Sequence, residues 1–484
     1  MILAIDIGTS SVRAGLYDQK GTLVKGTLIK NERRLHNTAD GGSEIDADAA
    51  FRQVVKTIND VLDISSNLKG EITHVAACSF WHSLVGVDAN GKSTTKVLSW
   101  ADNRSREQVA VLRKKLDESE VHNRTGARFH SSFWPAKILW IRETQPEVFA
   151  STEMWLSLSD YIGMRLYGST TTSVSMASAT GVFDIRECSW ERPLIKFLKI
   201  KQSSLPQVAD ERATFRLNNK YANRWPRLAN AEWFPAIGDG AANNIGSGCT
   251  TKKRLGLMVG TSGAMRSAYR GKPPKKLPSG LWCYRIDRER VVVGGALSDG
   301  GGLFEWLRTN LVLPKNFESK IARHKPDQHG LSFLPFLAGE RSTGYHEAAR
   351  GSIIGLASST TAVDIAQAAM ESVGYRFAEI FDQIKSVTNI EEIVASGGAL
   401  QSSKVWTQML ADILGREITL VDVPEASLRG AVLLVLESIG NIRSIEEFSP
   451  VHGKRFVPNI TRHTAYKLSQ REHKRLYELL LNED

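Results

Sequence analysis

Residues 3–18 read LAIDIGTSSVRAGLYD, an alternating pattern that is interrupted once by small residues. Apolar side chains occupy every second position on both sides of the interruption, namely Leu3, Ile5 and Ile7 before it and Val12, Ala14 and Leu16 after it. Alternation with a period of two predicts β-strands, and the Gly8-Thr9-Ser10 segment between them predicts a tight turn. The chain is therefore expected to open with a strand, a turn and a second strand.

The same pattern returns at residues 255–269, LGLMVGTSGAMRSAY, in which Gly260-Thr261-Ser262 separates two apolar runs. Two similar segments about half a chain apart indicate a duplicated architecture with a cleft between the halves. Chance recurrence of a tripeptide is the alternative, but the matching apolar flanks favour duplication. We expect a first unit over residues 1–244 and a second over 245–484, with a charged amphipathic helix at the end.

Turns of Gly, Thr and Ser between strands present backbone N–H groups and hydroxyls that suit phosphate oxygens. Two such turns that face each other would hold the β- and γ-phosphates of ATP, and Arg13 would add positive charge. Only the first turn has a carboxylate two residues before its glycine, Asp6, where Mg²⁺ would need a ligand. The alternative is that both segments are hairpins with good turn residues. The chain contains no GxxxxGK[ST] motif, which excludes a Walker-type site.

Two glycine-rich segments of the second half, residues 294–302 and 397–399, each follow an apolar strand and precede a helix. Glycine at such turns lets the backbone approach a ring or a ribose closely. Neither segment is a GxGxxG motif, so a dinucleotide cofactor is not expected. One shared ligand, such as the adenosine part of ATP, explains both.

Asp239 lies between two glycines at the junction of the halves. A carboxylate there would accept the proton of a substrate hydroxyl as that oxygen attacks a phosphate. The alternative is that Asp239 only caps a helix beginning at Gly240.

Polar clusters follow predicted strands of the first half at residues 81–83, Trp-His-Ser, and 100–104, Trp-Ala-Asp-Asn-Arg. Trp stacks on the C–H faces of polyhydroxylated ligands, while Asp and His bond hydroxyls. Arg104 would pair with a carboxylate. The alternative for each tryptophan is a place in the core.

The composition is that of an ordinary globular protein: 484 residues, with 62 Lys and Arg against 52 Asp and Glu and a formal net charge of +10. The four cysteines form no CxxC pair, and no apolar stretch approaches about 20 residues, so neither a zinc ribbon nor a membrane span is expected. The basic clusters are short and lack interleaved aromatics, which favours solvated surface over nucleic-acid binding. We expect a cytoplasmic protein with a small-molecule substrate, as a monomer or homodimer.

Taken in order along the chain, these motifs resemble the FGGY carbohydrate kinase family. The resemblance rests on residues 3–18, GDGAANNIGSG (238–248), LMVGTSGAMR (257–266), GERSTGYHEAARGSIIGL (339–356), SGGALQSS (396–403) and PEASLRGAVLL (424–434). It implies an α/β fold of the two-domain actin/hexokinase-like (ribonuclease H-like) ATPase type with an interdomain cleft. It also implies ATP and Mg²⁺ as cofactors.

The resemblance implies a role for each matching residue. Asp239 is the expected catalytic base and Asp6 the residue that orients Mg²⁺. The expected nucleotide contacts are Gly8, Thr9, Ser10, Arg13, Gly260, Thr261, Gly301, Gly302, Gly397, Gly398, Ala399 and Ser402. The expected sugar pocket contains Trp81, His82, Asp102, Arg104 and Asp239. The motifs WHS, SWADNRS, HNRTG and MASATG are similar to those of gluconate kinases in the family, which implies phosphorylation of D-gluconate. Another sugar or polyol is the alternative, followed by an actin-like ATPase that is not a kinase.

Overall fold

The computed structural model describes residues 1–210, 212–448 and 453–481 of the chain. Its strands in the first half are β1 Ile2–Ile7, β2 Ser11–Tyr17, β3 Ile29–Glu32, β4 His36–Asn37, β5 Ser43–Ile45, β6 His74–Ser79, β7 Val85–Val87, β8 Val97–Leu98, β9 Met154–Leu156, β10 Thr171–Thr172, β11 Phe183–Asp184, β12 Ser189–Trp190, β13 Gln207–Val208, β14 Glu232–Trp233 and β15 Ile237–Gly238. Those in the second half are β16 Arg254–Val259, β17 Gly263–Arg270, β18 Trp282–Arg285, β19 Arg290–Leu297, β20 Ser332–Leu334, β21 Ser352–Ile354, β22 Glu392–Ser396, β23 Ile418–Leu420 and β24 Lys454–Phe456.

The α-helices surround the two main sheets. They are α1 Ala47–Ile64, α2 Arg106–Lys115, α3 Glu118–Thr125, α4 Trp134–Thr144, α5 Pro146–Ser151, α6 Leu158–Tyr167, α7 Val174–Ser178, α8 Arg192–Leu198, α9 Asn219–Arg224, α10 Asp239–Gly246, α11 Gly301–Asn310, α12 Phe317–Arg323, α13 Ala362–Lys385, α14 Gly398–Ser402, α15 Lys404–Leu414, α16 Ala426–Ser438 and α17 Ile460–Leu481. Within the described ranges, none of them combines the length and the apolar character that a membrane span requires.

Both halves are built on the same arrangement of a hairpin beside a parallel strand. In the first sheet, β1 pairs antiparallel with β2 and parallel with β6, and the order is β14-β6-β1-β2-β3, with β15 also beside β6. In the second sheet, β16 pairs antiparallel with β17 and parallel with β22, in the order β18-β19-β17-β16-β22-β23-β24. The two predicted strand–turn–strand segments are therefore confirmed.

Two local predictions need correction. The turn predicted to begin at Gly294 does not begin there, because β19 continues through Gly294 and Gly295 to Leu297. A Cβ atom at Gly294 would lie 2.4 Å from the carbonyl oxygen of Met265 on the paired strand, so this glycine serves close strand packing. The helix predicted to follow Gly397 is two helices, α14 and α15, which are separated at Ser403.

The division of the chain at residues 244 and 245 stays a prediction. The first sheet contains strands up to β15 and the second strands from β16 onward, but α16 connects the two halves. This helix of the second half packs on β1, β2 and β6 of the first sheet and on α10. Its buried Leu428 and Val432 share one apolar cluster with Ile2 and Ala4 of β1. The described part of the second unit therefore completes the core of the first.

Candidate active site

Asp239 stands where the first sheet meets the second half. The short strand β15 pairs in parallel with β6 and ends at Gly238, and α10 begins at the next residue. The Asp239 carboxylate accepts hydrogen bonds from the backbone N–H groups of Gly240, at 2.7 Å, and Trp81. The N-cap position belongs to Gly238, so Asp239 is the first residue of the helix and not its cap.

Burial raises the pKa of Asp239 above its ordinary value, while the positive charges of Arg266 and Arg341 and its two hydrogen bonds oppose that shift. A carboxylate in such surroundings holds a proton more tightly than an exposed one. The arrangement therefore suits a group that accepts a proton from a substrate.

A second buried carboxylate, Asp6, lies at the end of β1. Its side chain accepts a weak hydrogen bond from the Cys78 thiol at 3.5 Å and lies 3.9 Å from the guanidinium of Arg13. Burial and the charge of Asp239 raise the pKa of Asp6 to about 7. Two carboxylates that disfavour each other's charge fit a divalent cation, and oxygen donors are the ligands that Mg²⁺ prefers.

The expected contact of Arg13 with phosphate stays a prediction, and in the structure the side chain has protein partners. Its guanidinium donates to the Glu425 carboxylate at 3.0 Å, and its Nε donates to the Ser11 hydroxyl at 3.2 Å. Glu425 immediately precedes α16, so the ion pair ties β2 to that helix. Arg13 is thus engaged in joining the two halves.

The turn of residues 8–10 is held by an arginine that the sequence did not single out. Arg33, just after β3, donates from Nη2 to the carbonyl of Gly8, from Nε to that of Thr9 at 3.3 Å and from its backbone to that of Ser10 at 2.9 Å. With these three carbonyls occupied, the turn offers N–H groups and hydroxyls to an anion. The Arg33 Nη1 atom is itself buried and has no hydrogen-bond partner among the described residues.

The turn of residues 260–262 is held instead by backbone groups. Gly301 donates to the Gly260 carbonyl at 2.7 Å, and Gly300 and Gly302 donate to the Thr261 carbonyl at 3.1 and 2.8 Å. A Cβ atom at Gly301 would lie 2.5 Å from the Gly260 oxygen, so a side chain there cannot be accommodated without movement.

The segment of residues 397–399 lies against the same turn. A Cβ atom at Gly397 would lie 2.3 Å from the Val259 carbonyl oxygen, and one at Gly301 would lie 2.9 Å from the Cβ of Ala399. Gly398 faces open space, since a Cβ atom there would meet nothing within 4 Å. Ser402 is exposed and donates to the Ala399 carbonyl at 3.0 Å. These predicted nucleotide contacts are therefore neighbours, and their role stays a prediction.

Trp81 packs directly beneath the Asp239 segment. Its ring is 6% exposed, and Cβ atoms at Gly238 and Gly240 would lie 1.9 and 2.5 Å from it. Its Nε1 donates to the Ser175 carbonyl at 3.2 Å. Trp81 thus packs against the residues on both sides of Asp239, and only a small part of its side chain is accessible to a ligand.

His82 is held in a neutral form beside it. Its Nδ1 donates to the Ala179 carbonyl at 2.6 Å, and burial together with the nearby charge of Arg341 lowers its pKa well below the ordinary value. Because Nδ1 carries the proton, Nε2 is left as a hydrogen-bond acceptor. A neutral acceptor of this kind suits a substrate hydroxyl.

The predicted sugar-pocket roles of Asp102 and Arg104 stay predictions, and the structure shows how these two side chains are held. Arg104 donates to the Asp102 carboxylate at 2.6 Å and to that of Glu44 at 2.8 Å, and its guanidinium covers the ring of Trp140. Asp102 is 1% exposed and also accepts from the backbone of Ser43. Both side chains already have hydrogen-bond partners within the first half, so a substrate carboxylate would have to share Arg104 with Asp102 and Glu44.

Two other arginines, both from the second half, supply positive charge near Asp239. Arg266 of β17 is 9% exposed, and its Nε has no hydrogen-bond partner in the described part of the chain. A Cβ atom at Gly240 would lie 3.1 Å from that nitrogen. Arg341 stacks over Trp100 at 5.5 Å from the ring centroid. Arg266 is the last residue of the LMVGTSGAMR motif and Arg341 the third residue of GERSTGYHEAARGSIIGL, so their positions within these motifs were the available signal.

The comparisons with known proteins agree on one family of enzymes. The sequence pattern of the FGGY family of carbohydrate kinases matches residues 1–246 with its N-terminal domain and 257–436 with its C-terminal domain.

Two relatives illustrate the range of kinases that this chain resembles. A gluconokinase of Bacillus subtilis is 27% identical over 99% of this chain and 95% of its own length. A xylulose kinase of Staphylococcus xylosus is 25% identical over 90% of each.

Among solved structures, a gluconate kinase of Lactobacillus acidophilus superposes with a TM-score of 0.91 at 27% identity, over 100% of this chain and 98% of its own. A xylulose kinase of the same organism superposes with a TM-score of 0.90 at 26% identity, over 99% and 98%.

Proposed function

The chain belongs to the FGGY family of carbohydrate kinases, and from this premise we propose that it transfers the γ-phosphate of ATP to a sugar acid. The proposed substrate is D-gluconate and the product 6-phosphogluconate. Relatives named gluconokinase, at 27% identity over nearly the full chain, support this choice.

The main support for an acidic sugar as the substrate is the excess of positive charge around Asp239. Arg266 and Arg341 both act on this one carboxylate, and the charge of Arg341 disfavours the charged form of Arg266. Burial and Arg341 lower the pKa of Arg266 to about 10. An anionic ligand would relieve this repulsion, and a guanidinium binds a carboxylate through paired N–H groups. A neutral sugar would leave it unrelieved.

In the proposed reaction, Asp239 accepts the proton of the primary hydroxyl as its oxygen attacks the γ-phosphorus. The N–H groups and hydroxyls of the turns at 8–10 and 260–262 stabilise the charge on the transferring group. His82 accepts a hydrogen bond from a second hydroxyl and orients the sugar.

Mg²⁺ is the proposed partner of Asp6. When bound, it neutralises the negative charge of the ATP phosphates. Asp6 is suited to hold it because its carboxylate is buried beside Asp239 with no hydrogen-bond donor other than the Cys78 thiol among the described side chains.

A second candidate is a kinase of a neutral ketose, since the xylulose kinases match at nearly the same identity and TM-score as the gluconate kinases. Measurement of ADP release with gluconate, other sugar acids, xylulose and polyols separates the candidates. We expect the highest kcat/KM with gluconate. Turnover of xylulose with gluconate inert would overturn the proposal, and sugar-independent ATP hydrolysis would indicate a non-kinase ATPase.

A further inference from the structure

Lys137, in the second turn of α4, is a wholly buried amine. Its relative exposure is 0%. Lysine is almost never buried to this extent without a partner. Among the described residues it forms no ion pair, and the nearby Asp102 is already bound by Arg104 and Ser43.

The amine instead bridges two backbone carbonyls. Its Nζ donates to the carbonyl of His82 at 2.9 Å and to that of Ser99 at 2.7 Å. His82 lies in the turn after β6, and Ser99 directly precedes Trp100, which lies under Arg341. One side chain therefore connects the turn of His82 to the segment that begins at Ser99 and carries Asp102 and Arg104, which are expected residues of the sugar pocket.

The turn at His82 needs such support. His82 has a φ of 67°, in the left-handed region, a strained conformation for a non-glycine residue that persists only where the surroundings fix it. The indole of Trp134, on the same helix, donates to the carbonyl of Ser83 at 2.8 Å. Helix α4 thus donates hydrogen bonds to two consecutive carbonyls of this turn, those of His82 and Ser83.

The contact does not depend on the charge of the amine. Burial lowers the pKa of Lys137 to about 7, with Arg104 and Arg341 adding to the effect and Asp102 opposing it. An ammonium has three N–H donors and a neutral amine has two, so both forms can serve the two carbonyls.

We propose that Lys137 is a positioning residue for the sugar substrate, which fixes the turns of His82 and Trp100 relative to each other. The proposal rests on the proposed function only in taking a sugar as the substrate. The proposal gives Lys137 no role in ATP binding, because the turns expected to bind ATP, residues 8–10 and 260–262, follow β1 and β16.

The test replaces Lys137 with Met, which keeps the length of the side chain and removes its donors. We expect the KM for the sugar to rise about tenfold or more, because two buried carbonyls lose their partners, while the KM for ATP stays within twofold. The control is Ile138→Val, a buried change on the same helix that should lower the Tm and leave both KM values unchanged.

A sugar KM within twofold of wild type, or equal rises of both KM values, would overturn the proposal. If Lys137→Met does not fold, Lys137→Gln decides, since its shorter side chain reaches at most one carbonyl. A rise of the sugar KM alone supports the proposal, and unchanged values overturn it. All KM values are measured with the sugar that gives the highest wild-type kcat/KM. If that sugar is neutral, gluconate specificity is contradicted. The comparison of Lys137 variants with the wild type still tests the role of Lys137.

Discussion

The carboxylate of Asp239 is subject to opposing influences that the sequence does not reveal. Burial favours its protonated form, and the guanidinium groups of Arg266 and Arg341 favour its charged form. A base needs a pKa high enough to take a proton and low enough to be ionised at the working pH. The balance therefore depends on residues 27 and more positions away along the chain.

The first prediction concerns Asp239 itself. Asp239→Asn should lower kcat by about 100- to 10,000-fold, because the amide cannot accept the hydroxyl proton. Steady-state kinetics with saturating ATP and sugar measure the effect, and thermal unfolding monitors the fold. A variant with normal turnover would refute the assignment of the base.

The second prediction concerns pH. Activity should be lost as the pH falls through the pKa of Asp239, since only the ionised form accepts a proton. Arg266→Gln removes the largest charge that lowers this pKa, so the acid limb of kcat/KM should move to higher pH. Arg270→Gln, at the exposed end of the same strand, is the control and should leave the limb in place. An unmoved limb in Arg266→Gln would contradict the proposed coupling.

The third prediction concerns Arg33. Arg33→Met should raise the KM for ATP about tenfold or more, since hydrogen bonds from a charged group stabilise by roughly 1.5–3 kcal/mol and two are lost from the turn. The KM for the sugar should change little. The neighbouring, exposed Arg34 provides the control Arg34→Met. Equal effects of the two substitutions would show that Arg33 does not order the turn.

At the scale of elements, α10 and α16 cross with almost no space between their backbones. A Cβ atom at Gly430 would lie 1.8 Å from the carbonyl oxygen of Ala242, and one at Gly246 would lie 1.8 Å from that of Ala426. Each helix thus presents a glycine to the backbone of the other. Because α10 begins with Asp239, the crossing also fixes where the candidate base stands.

The fourth prediction follows from this contact. Gly430→Ala should lower the free energy of unfolding by about 1–3 kcal/mol, because the added methyl forces the helices apart. Denaturant unfolding measures the change. Ser438→Ala, at the exposed end of α16, should change it by less than about 0.5 kcal/mol. A fully stable Gly430→Ala protein would mean that the crossing relaxes without cost.

Local patterns predicted most elements, because alternation and helical periodicity are properties of neighbouring residues. Both hairpins were predicted. The apolar periodicity of residues 363–384 likewise predicts one long helix, which the structure has at Ala362–Lys385. The glycines of β19 were misread, since a glycine that avoids a neighbouring strand has the same sequence as one that makes a turn. The site was predicted in part. Asp6 and Asp239 lie in marked motifs, whereas the pairing of Arg104 with Glu44 depends on a contact 60 residues away.

For the whole molecule, the two sheets share part of their cores, although one cluster, which includes Leu3 and Val54, belongs to the first half alone. One apolar cluster joins Ile2 and Ala4 of β1 to Leu428 and Val432 of α16, and another combines residues such as Leu84 and Val293 from both halves. Burial of apolar surface is the main stabilising contribution to folding. The first half alone would expose the surface that α16 covers.

The fifth prediction is that residues 1–244 expressed alone do not fold cooperatively. Circular dichroism should show no sharp thermal transition for this fragment, while the full chain should show one. Mixing the fragment with residues 245–484 should restore the transition. A fragment that unfolds cooperatively by itself would refute the shared core.

The different supports of the two turns have a consequence for how the protein tolerates mutation. The turn at residues 260–262 is held by backbone N–H groups of Gly300, Gly301 and Gly302, which no side-chain exchange can remove without also displacing the chain. The turn at residues 8–10 depends on one side chain, Arg33, which a single codon change can alter. A single substitution at Arg33 can therefore loosen the turn at residues 8–10, whereas the turn at residues 260–262 is sensitive to changes that displace its backbone, such as a side chain added at Gly301.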